Sequence, residues 1–326
     1  MRKNNRVLII GKLPPPIGGV TIHVKRLLSH LELNKIHYKF IDLKLGNLIL
    51  LPFYFWNSKL LHIHSSSVFV RLYCTIISRI FNKISVVTIH GDLGRFKSNY
   101  KNIIDNMSVR IASYPIVLNQ LSYEKSIVLN SKSKIISSFI PPNDLEETLN
   151  NQIVGEINEI KKKYKIVFCT NAYGLSFDRF GNEIYGIFEI IEYFNQNENY
   201  GLIFSDPSGD YFEKFKKSNI VLNQNILHIN YPHSFYSVLK LSDVSIRNTT
   251  TDGDSISVKE SLYLNKITLC TNVVSRPNGV ITYKQKCIAS LLDEFEVNLK
   301  SNSSNLINDD INGFNEILKL YNKILQ

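Results

Sequence analysis

The sequence predicts an α/β protein made of two doubly wound, parallel-sheet domains. Two observations carry this. β-rich runs alternate with stretches of helical period along the chain, and the prolines Pro141 and Pro142 end one such series before a second begins. At 326 residues the chain is also too long for one ordinary core and suits two of about 150 residues each.

Arg6 to Gly11 (RVLIIG) reads as a buried strand, Lys12 to Gly19 (KLPPPIGG) as a rigid turn, and Val20 to Leu31 as a helix with Val20, Val24, Leu27, Leu28 and Leu31 on its sheet-facing side. Gly18 and Gly19 lack Cβ atoms, so backbone N–H groups at that helix start can approach a phosphate or sugar. The pair lacks the third glycine of a dinucleotide fingerprint. Tyr38 to Leu43 and Leu60 to His64 are the next strands. His62 and His64 fall on one side of the latter, but no third ligand stands at metal-site spacing, so no metal is expected. Val68 to Phe81 is a helix, and Ser85 to Ile89 is a strand ending at His90-Gly91. The carboxyl end of a strand is where open parallel sheets place function, and His90 there suits a hydrogen bond to a ligand or the handling of a proton. A strand-end histidine bonded to a backbone carbonyl is the alternative. Pro115 to Asn119, a helix at Ser122 to Leu129, and Lys134 to Ile140 finish the first sheet.

The polar segment Asn143 to Lys163 leads into Lys165 to Thr170 (KIVFCT), which opens the second sheet. A helix at Ile184 to Phe194, strands at Gly201 to Ser205 and Ile226 to Asn230, and a helix at Ser234 to Leu241 follow. Asp243 to Gly279 then reads as strand (Val244 to Arg247), polar loop, helix (Ser255 to Leu264) and strand (Ile267 to Thr271). That order puts the loop at the carboxyl end of its strand, with the unpaired N–H groups and partial positive charge of the helix start aimed at it. An anionic group fits there. Asp252 lies in the loop, Glu260 two turns into the helix, Gly253 permits close backbone approach, and Ser255 is the N-cap. Val258 and Leu262 face the sheet. The same pattern also describes an ordinary capped crossover helix with solvated acids. Ile307 to Leu325 closes the chain as an amphipathic docked helix.

Asp252, seven intervening residues, Glu260, a β-run, and then Arg276-Pro277 with Gly279 resemble the donor-binding motif of retaining GT-B glycosyltransferases of the fourth sequence family, in which the first acid is often a glutamate. PPPIGG followed by a helix bearing His23 is similar to that family's first loop. The resemblance implies the GT-B fold: Rossmann-like domains at residues 1–142 and 143–306 facing each other across a cleft, with the helix of residues 307–326 crossing back to the first. It implies a hexosyltransferase-type enzyme that moves a sugar from a UDP- or GDP-sugar to a hydroxyl of a glycan or lipid-linked glycan in polysaccharide biosynthesis, with no cofactor besides that donor. Carried over, Gly253, Asp254, Ser255 and Ile256 hold the donor diphosphate, Asp252 meets sugar hydroxyls, Glu260 bonds the ribose, and His90 contacts the sugar. Gly18 and Gly19 sit in the loop lining the cleft. One departure stands out: Tyr185 precedes Gly186 where the family carries a lysine for the diphosphate, which leaves Arg179, Arg247 or Arg276 as substitutes. A sugar-nucleotide epimerase of the same fold stays open, as does a non-catalytic basic protein for nucleic acid or anionic lipid.

Composition bounds the partners. Apolar residues make up 44% and charged residues 20%, which excludes wholesale disorder. Cys74, Cys169, Cys270 and Cys287 are scattered without a CxxC pair, arguing against a disulfide frame or a zinc site. Residues 1–150 hold 20 basic against 8 acidic side chains and the remainder 18 against 20, so the first half faces something anionic. A membrane is favoured over nucleic acid because Leu48 to Trp56 (LILLPFYFW) is apolar and aromatic between Lys44 and Lys59. A buried segment is the alternative reading of that stretch. No signal-peptide pattern opens the sequence, so the expected site is the cytoplasm, peripheral to the membrane's inner face.

Overall fold

A computed structural model describes residues 7–43, 48, 51–55, 58–143, 148–178, 180–295 and 312–326. The chain forms two compact units, Met1–Pro141 with Asp310–Gln326, and Pro142–Asp309.

The first unit runs β1 (Val7–Gly11), α1 (Gly19–Leu33), β2 (Tyr38–Asp42), α2 (Leu51–Tyr54), β3 (Leu60–His64), α3 (Val68–Ile80), β4 (Ile84–Thr88), α4 (Asn99–Ile111), β5 (Tyr114–Val117), α5 (Gln120–Leu129), β6 (Lys134–Ile135) and, from the end of the chain, α12 (Gly313–Leu325). Its strands form one parallel sheet in the order β2-β1-β3-β4-β5-β6. Period-two alternation along β1 gives each sheet face its own core. Val7 and Ile9 pack with α1 and with Phe314, Ile317, Leu320 and Tyr321 of α12, whereas Leu8 and Ile10 pack with Leu61, Ile63 and Cys74. The backbone N–H of Gly313 donates to the Phe139 carbonyl at 2.8 Å, and a Cβ at Gly313 would lie 2.0 Å from the Ser137 carbonyl oxygen, so only glycine lets α12 dock this closely. Arg71 of α3 and Asp105 of α4 form an ion pair with both side chains 1% exposed.

The second unit contains α6 (Asn151–Lys163), β7 (Val167–Asn171), α7 (Ile187–Gln196), β8 (Gly201–Ser205), α8 (Asp210–Lys217), β9 (Ile226–Ile229), α9 (Phe235–Leu241), β10 (Val244–Arg247), α10 (Ile256–Tyr263), β11 (Ile267–Thr271), β12 (Ile281–Tyr283) and α11 (Ile288–Asp293). The parallel sheet order is β12-β11-β10-β7-β8-β9. Phe168, Phe204, Ile246 and Leu269 face one core, and Val167, Cys169 and Ile203 the other.

Three sequence expectations change here. The polar segment before the second sheet contains α6, because the Asn150 side chain caps it and Ile153, Ile157 and Ile160 form a buried stripe at helical spacing. The strand expected at Lys134 to Ile140 pairs only at Lys134–Ile135. Of Leu48 to Trp56, residues 49, 50 and 56 lie outside the described residues, as does Lys44. In the described part Leu51 and Phe55 are buried and Phe53 is exposed, so most of it packs inward against the core of the first unit. No described helix is long and apolar enough to cross a membrane.

Candidate functional site

In each sheet the chain order reverses once, and the carboxyl ends of the strands flanking that reversal define a crevice suited to ligands. In the second unit the reversal falls between β7 and β10. Gly186, at the amino end of α7, and Asn248, just after β10, meet there. The Asn248 Nδ2 donates to the Gly186 carbonyl (3.1 Å) and to Glu189 (2.9 Å), while its Oδ1 accepts from Tyr283 (3.0 Å). Gly186 has φ 59°, and a Cβ on it would lie 2.3 Å from the Asn248 carbonyl oxygen, so the two loops approach through a position only glycine fills.

Beside this contact lies a network of two arginines and one aspartate. Arg247, the last residue of β10, grips Asp252 with Nε (3.1 Å) and NH2 (3.0 Å), and Arg276 NH1 reaches Asp252 Oδ2 at 2.8 Å. Thr249 Oγ1 and the Gly253 N–H donate to the same carboxylate at 3.4 and 3.2 Å. Arg276 is anchored further by the Thr271 carbonyl at 2.9 Å. The side chains of Arg247, Asp252 and Arg276 are 13%, 7% and 3% exposed. Burial alone would raise the Asp252 carboxyl pKa, but Arg247 and Arg276 outweigh it and hold that carboxyl below the usual aspartate range. The trio carries a net single positive charge.

Five donors converge on the Asp252 carboxylate, which thereby orients two guanidinium groups. Tyr185, at the family's lysine position, lies under one of them, with its ring centroid 5.2 Å from the Arg247 guanidinium carbon.

The amino end of α10 opens beside this network. Ser255 is its N-cap by position, yet its hydroxyl pairs with Ser257 Oγ (3.1 Å) rather than with a helix amide, and the first turn holds no acid. The Ser255 side chain thus leaves the positive helix end without its N-cap hydrogen bond. Gly253 is exposed with open space where a Cβ would stand, Asp254 pairs with Lys259, Ile256 begins the helix, and Glu260 is buried at 4% exposure. Arg179 lies outside the described residues. Thr249, Thr271 and Asn248 were not singled out by the sequence. The signal for them was a run of small hydrogen-bonding residues directly after apolar strands.

In the first unit the reversal falls between β1 and β3. Gly18 caps α1, its N–H donating to Thr21 Oγ1 at 3.0 Å, and Gly19 is the helix's exposed first residue. His90, half-buried after β4, does not bond a strand carbonyl in the described contacts. Its Nε2 lies 3.1 Å from His64 Nδ1, and its ring centroid is 5.1 Å from that of His23 on α1. The partners of His64 are therefore not His62 on the same strand but His23 and His90, from two other elements.

No family model and no curated protein matches the chain. Solved structures do. The chain is similar to HepE of Anabaena in complex with UDP-glucose, with a TM-score of 0.67 at 12% identity over 98% of each chain. It is similar to sucrose-phosphate synthase of Thermosynechococcus elongatus, with a TM-score of 0.67 at 12% identity over 98% of this chain and 99% of that one. It is also similar to UDP-GlcNAc 2-epimerase of Methanocaldococcus jannaschii, with a TM-score of 0.63 at 12% identity over 98% and 99%. At such identities the likeness carries the fold, and the fold is GT-B: two six-stranded parallel sheets flanked by helices.

Proposed function

We propose that this chain is a retaining glycosyltransferase that moves a sugar from a UDP- or GDP-sugar to a hydroxyl of a glycan or lipid-linked glycan. The observation that carries the reading is the Arg247–Asp252–Arg276 network beside the uncapped start of α10, at the chain reversal of the second sheet. Two oriented guanidinium groups and a helix amino end suit a diphosphate and stabilise the negative charge that grows on it as the sugar departs. Glu260, on the same helix, takes the ribose hydroxyls. The leaving phosphate oxygen accepts the acceptor's proton, so no dedicated protein base is assigned.

A thermal-shift panel of nucleotide sugars tests this. A donor at 100 times its Kd adds about 2.7 kcal/mol of stability. Arg276→Met is expected to abolish the shift, and no response of the unaltered chain to any UDP- or GDP-sugar rejects the reading. An epimerase is the second reading, favoured by the likeness to UDP-GlcNAc 2-epimerase. Conversion of a UDP-sugar in the absence of any acceptor separates it from a transferase.

The basic half of the chain is assigned to an anionic membrane surface. α3 exposes Phe69, Tyr73, Ile76 and Ile80, and α4, packed on it, exposes Tyr100, Ile103 and Met107, each set at helical spacing. Arg79, Lys97 and Arg110 are exposed on or beside the same helices. An apolar stripe edged by cations suits the lipid headgroup boundary. Flotation with vesicles containing phosphatidylglycerol, lost in Ile76→Asp/Ile103→Asp, is the expected result, and equal flotation of that variant counts against the assignment.

A further inference from the structure

At the chain reversal of the first sheet, His64 ends β3, His90 follows β4, and His23 lies on the second turn of α1. One ring nitrogen from each of the three lies within 4.8 Å of the other two. His64 Nδ1 and His90 Nε2 are 3.1 Å apart, close to the separation of about 3.3–3.4 Å that two nitrogens reach when both bind a tetrahedral zinc at 2.0–2.1 Å.

The surroundings fix the rings as ligands need to be fixed. His23 Nδ1–H donates to the Ser138 carbonyl at 2.6 Å, which sets its tautomer and leaves Nε2 as the coordinating atom. Behind His64, at a ring separation of 4.0 Å, His62 has both nitrogens engaged, one with Thr88 Oγ1 at 2.8 Å and the other with the Tyr321 hydroxyl of α12, so it buttresses the group and does not join it. His64 is 1% exposed, and its Nδ1 faces His90 Nε2. His90 is half-buried and gives an ion its way in.

We propose that His23, His64 and His90 form a three-histidine site for a divalent first-row transition ion of the zinc class, with a fourth position left for a small ligand. Imidazole nitrogens select Zn2+, Co2+, Ni2+ and Cu2+ over Mg2+ and Ca2+, which prefer oxygen. The guanidinium of Arg95, held close over Gly91, the residue next to His90, opposes a cation. Removing that charge in Arg95→Gln tightens binding. The site needs neither a nucleotide donor nor the proposed transfer reaction.

The test uses the full chain without a histidine tag, after chelation and dialysis. Co2+ is titrated with visible absorption as the readout, and Zn2+ with calorimetry. One Co2+ per chain with the intense ligand-field bands of a low-coordinate site is expected, displaced by Zn2+ and unaffected by Mg2+. His64→Gln and His23→Asn are expected to weaken binding by more than the roughly 10–100-fold that loss of an outer partner costs. His228→Gln, in the second unit, leaves it unchanged. Circular dichroism and a melting curve for each variant separate lost ligands from lost folding, and a tighter Arg95→Gln supports the site even where a histidine variant fails to fold. Absence of Co2+ and Zn2+ binding by the unaltered chain, or binding equal in His64→Gln, overturns the proposal.

Discussion

Replacing Asp252 by Asn separates the role found in the structure from the role the family resemblance implies. Asn keeps the volume of the side chain and one acceptor oxygen but removes the charge that faces Arg247 and Arg276, whose side chains are 13% and 3% exposed. Two buried guanidinium groups are then left without a counter-charge, and breaking a buried pair in this way costs about 3–5 kcal/mol. For a unit of this size each kcal/mol moves Tm by about 2–4 °C, so the second unit should melt roughly 6–20 °C lower, resolved from the first by calorimetry. Adding UDP should recover much of the loss, because a diphosphate supplies the missing negative charge. The penalty also has a pH signature. The Asp252 pKa is depressed on folding, so its contribution is full above the unfolded value of about 3.9 and disappears as pH falls through the folded value, where variant and parent converge. An unchanged Tm at pH 7, with weaker discrimination between UDP and a UDP-sugar, would show that Asp252 serves the sugar and refute the reasoning.

Arg71→Met should destabilise the first unit by about 3–5 kcal/mol, since it leaves the Asp105 carboxylate buried and unpaired, whereas the double change Arg71→Met/Asp105→Leu should recover most of that in denaturant unfolding. Gly186→Ala should cost at least about 1–3 kcal/mol and weaken nucleotide binding, because φ is 59° and the new methyl meets the Asn248 backbone, which has little room to yield. The thiols of Cys74, Cys169 and Cys270 are pushed up to about 12 by burial, so at pH 8 a thiol reagent should titrate one cysteine per native chain, the exposed Cys287, and all four after denaturation.

Short-range pattern carried much of this protein. The apolar runs at Val7–Gly11, Leu60–His64 and Ile267–Thr271 announced buried parallel strands, because a strand covered on both faces has no polar side to show. The strand, loop, helix order around Asp252 likewise marked a carboxyl-end loop with a helix start beside it. The helix at Asn151–Lys163 escaped notice for a physical reason: its three isoleucines are spaced for a single buried stripe, and the charged residues between them dominate the composition. What tertiary structure alone decided is which groups share a site. Arg247 and Arg276 are 29 positions apart yet close on one carboxylate, and His23, His64 and His90 come from a helix and the ends of two strands. Neither meeting leaves a periodic trace along the chain, because parallel strands joined by crossover helices bring together the ends of elements, and the identity of those ends depends on strand order that no local spacing encodes.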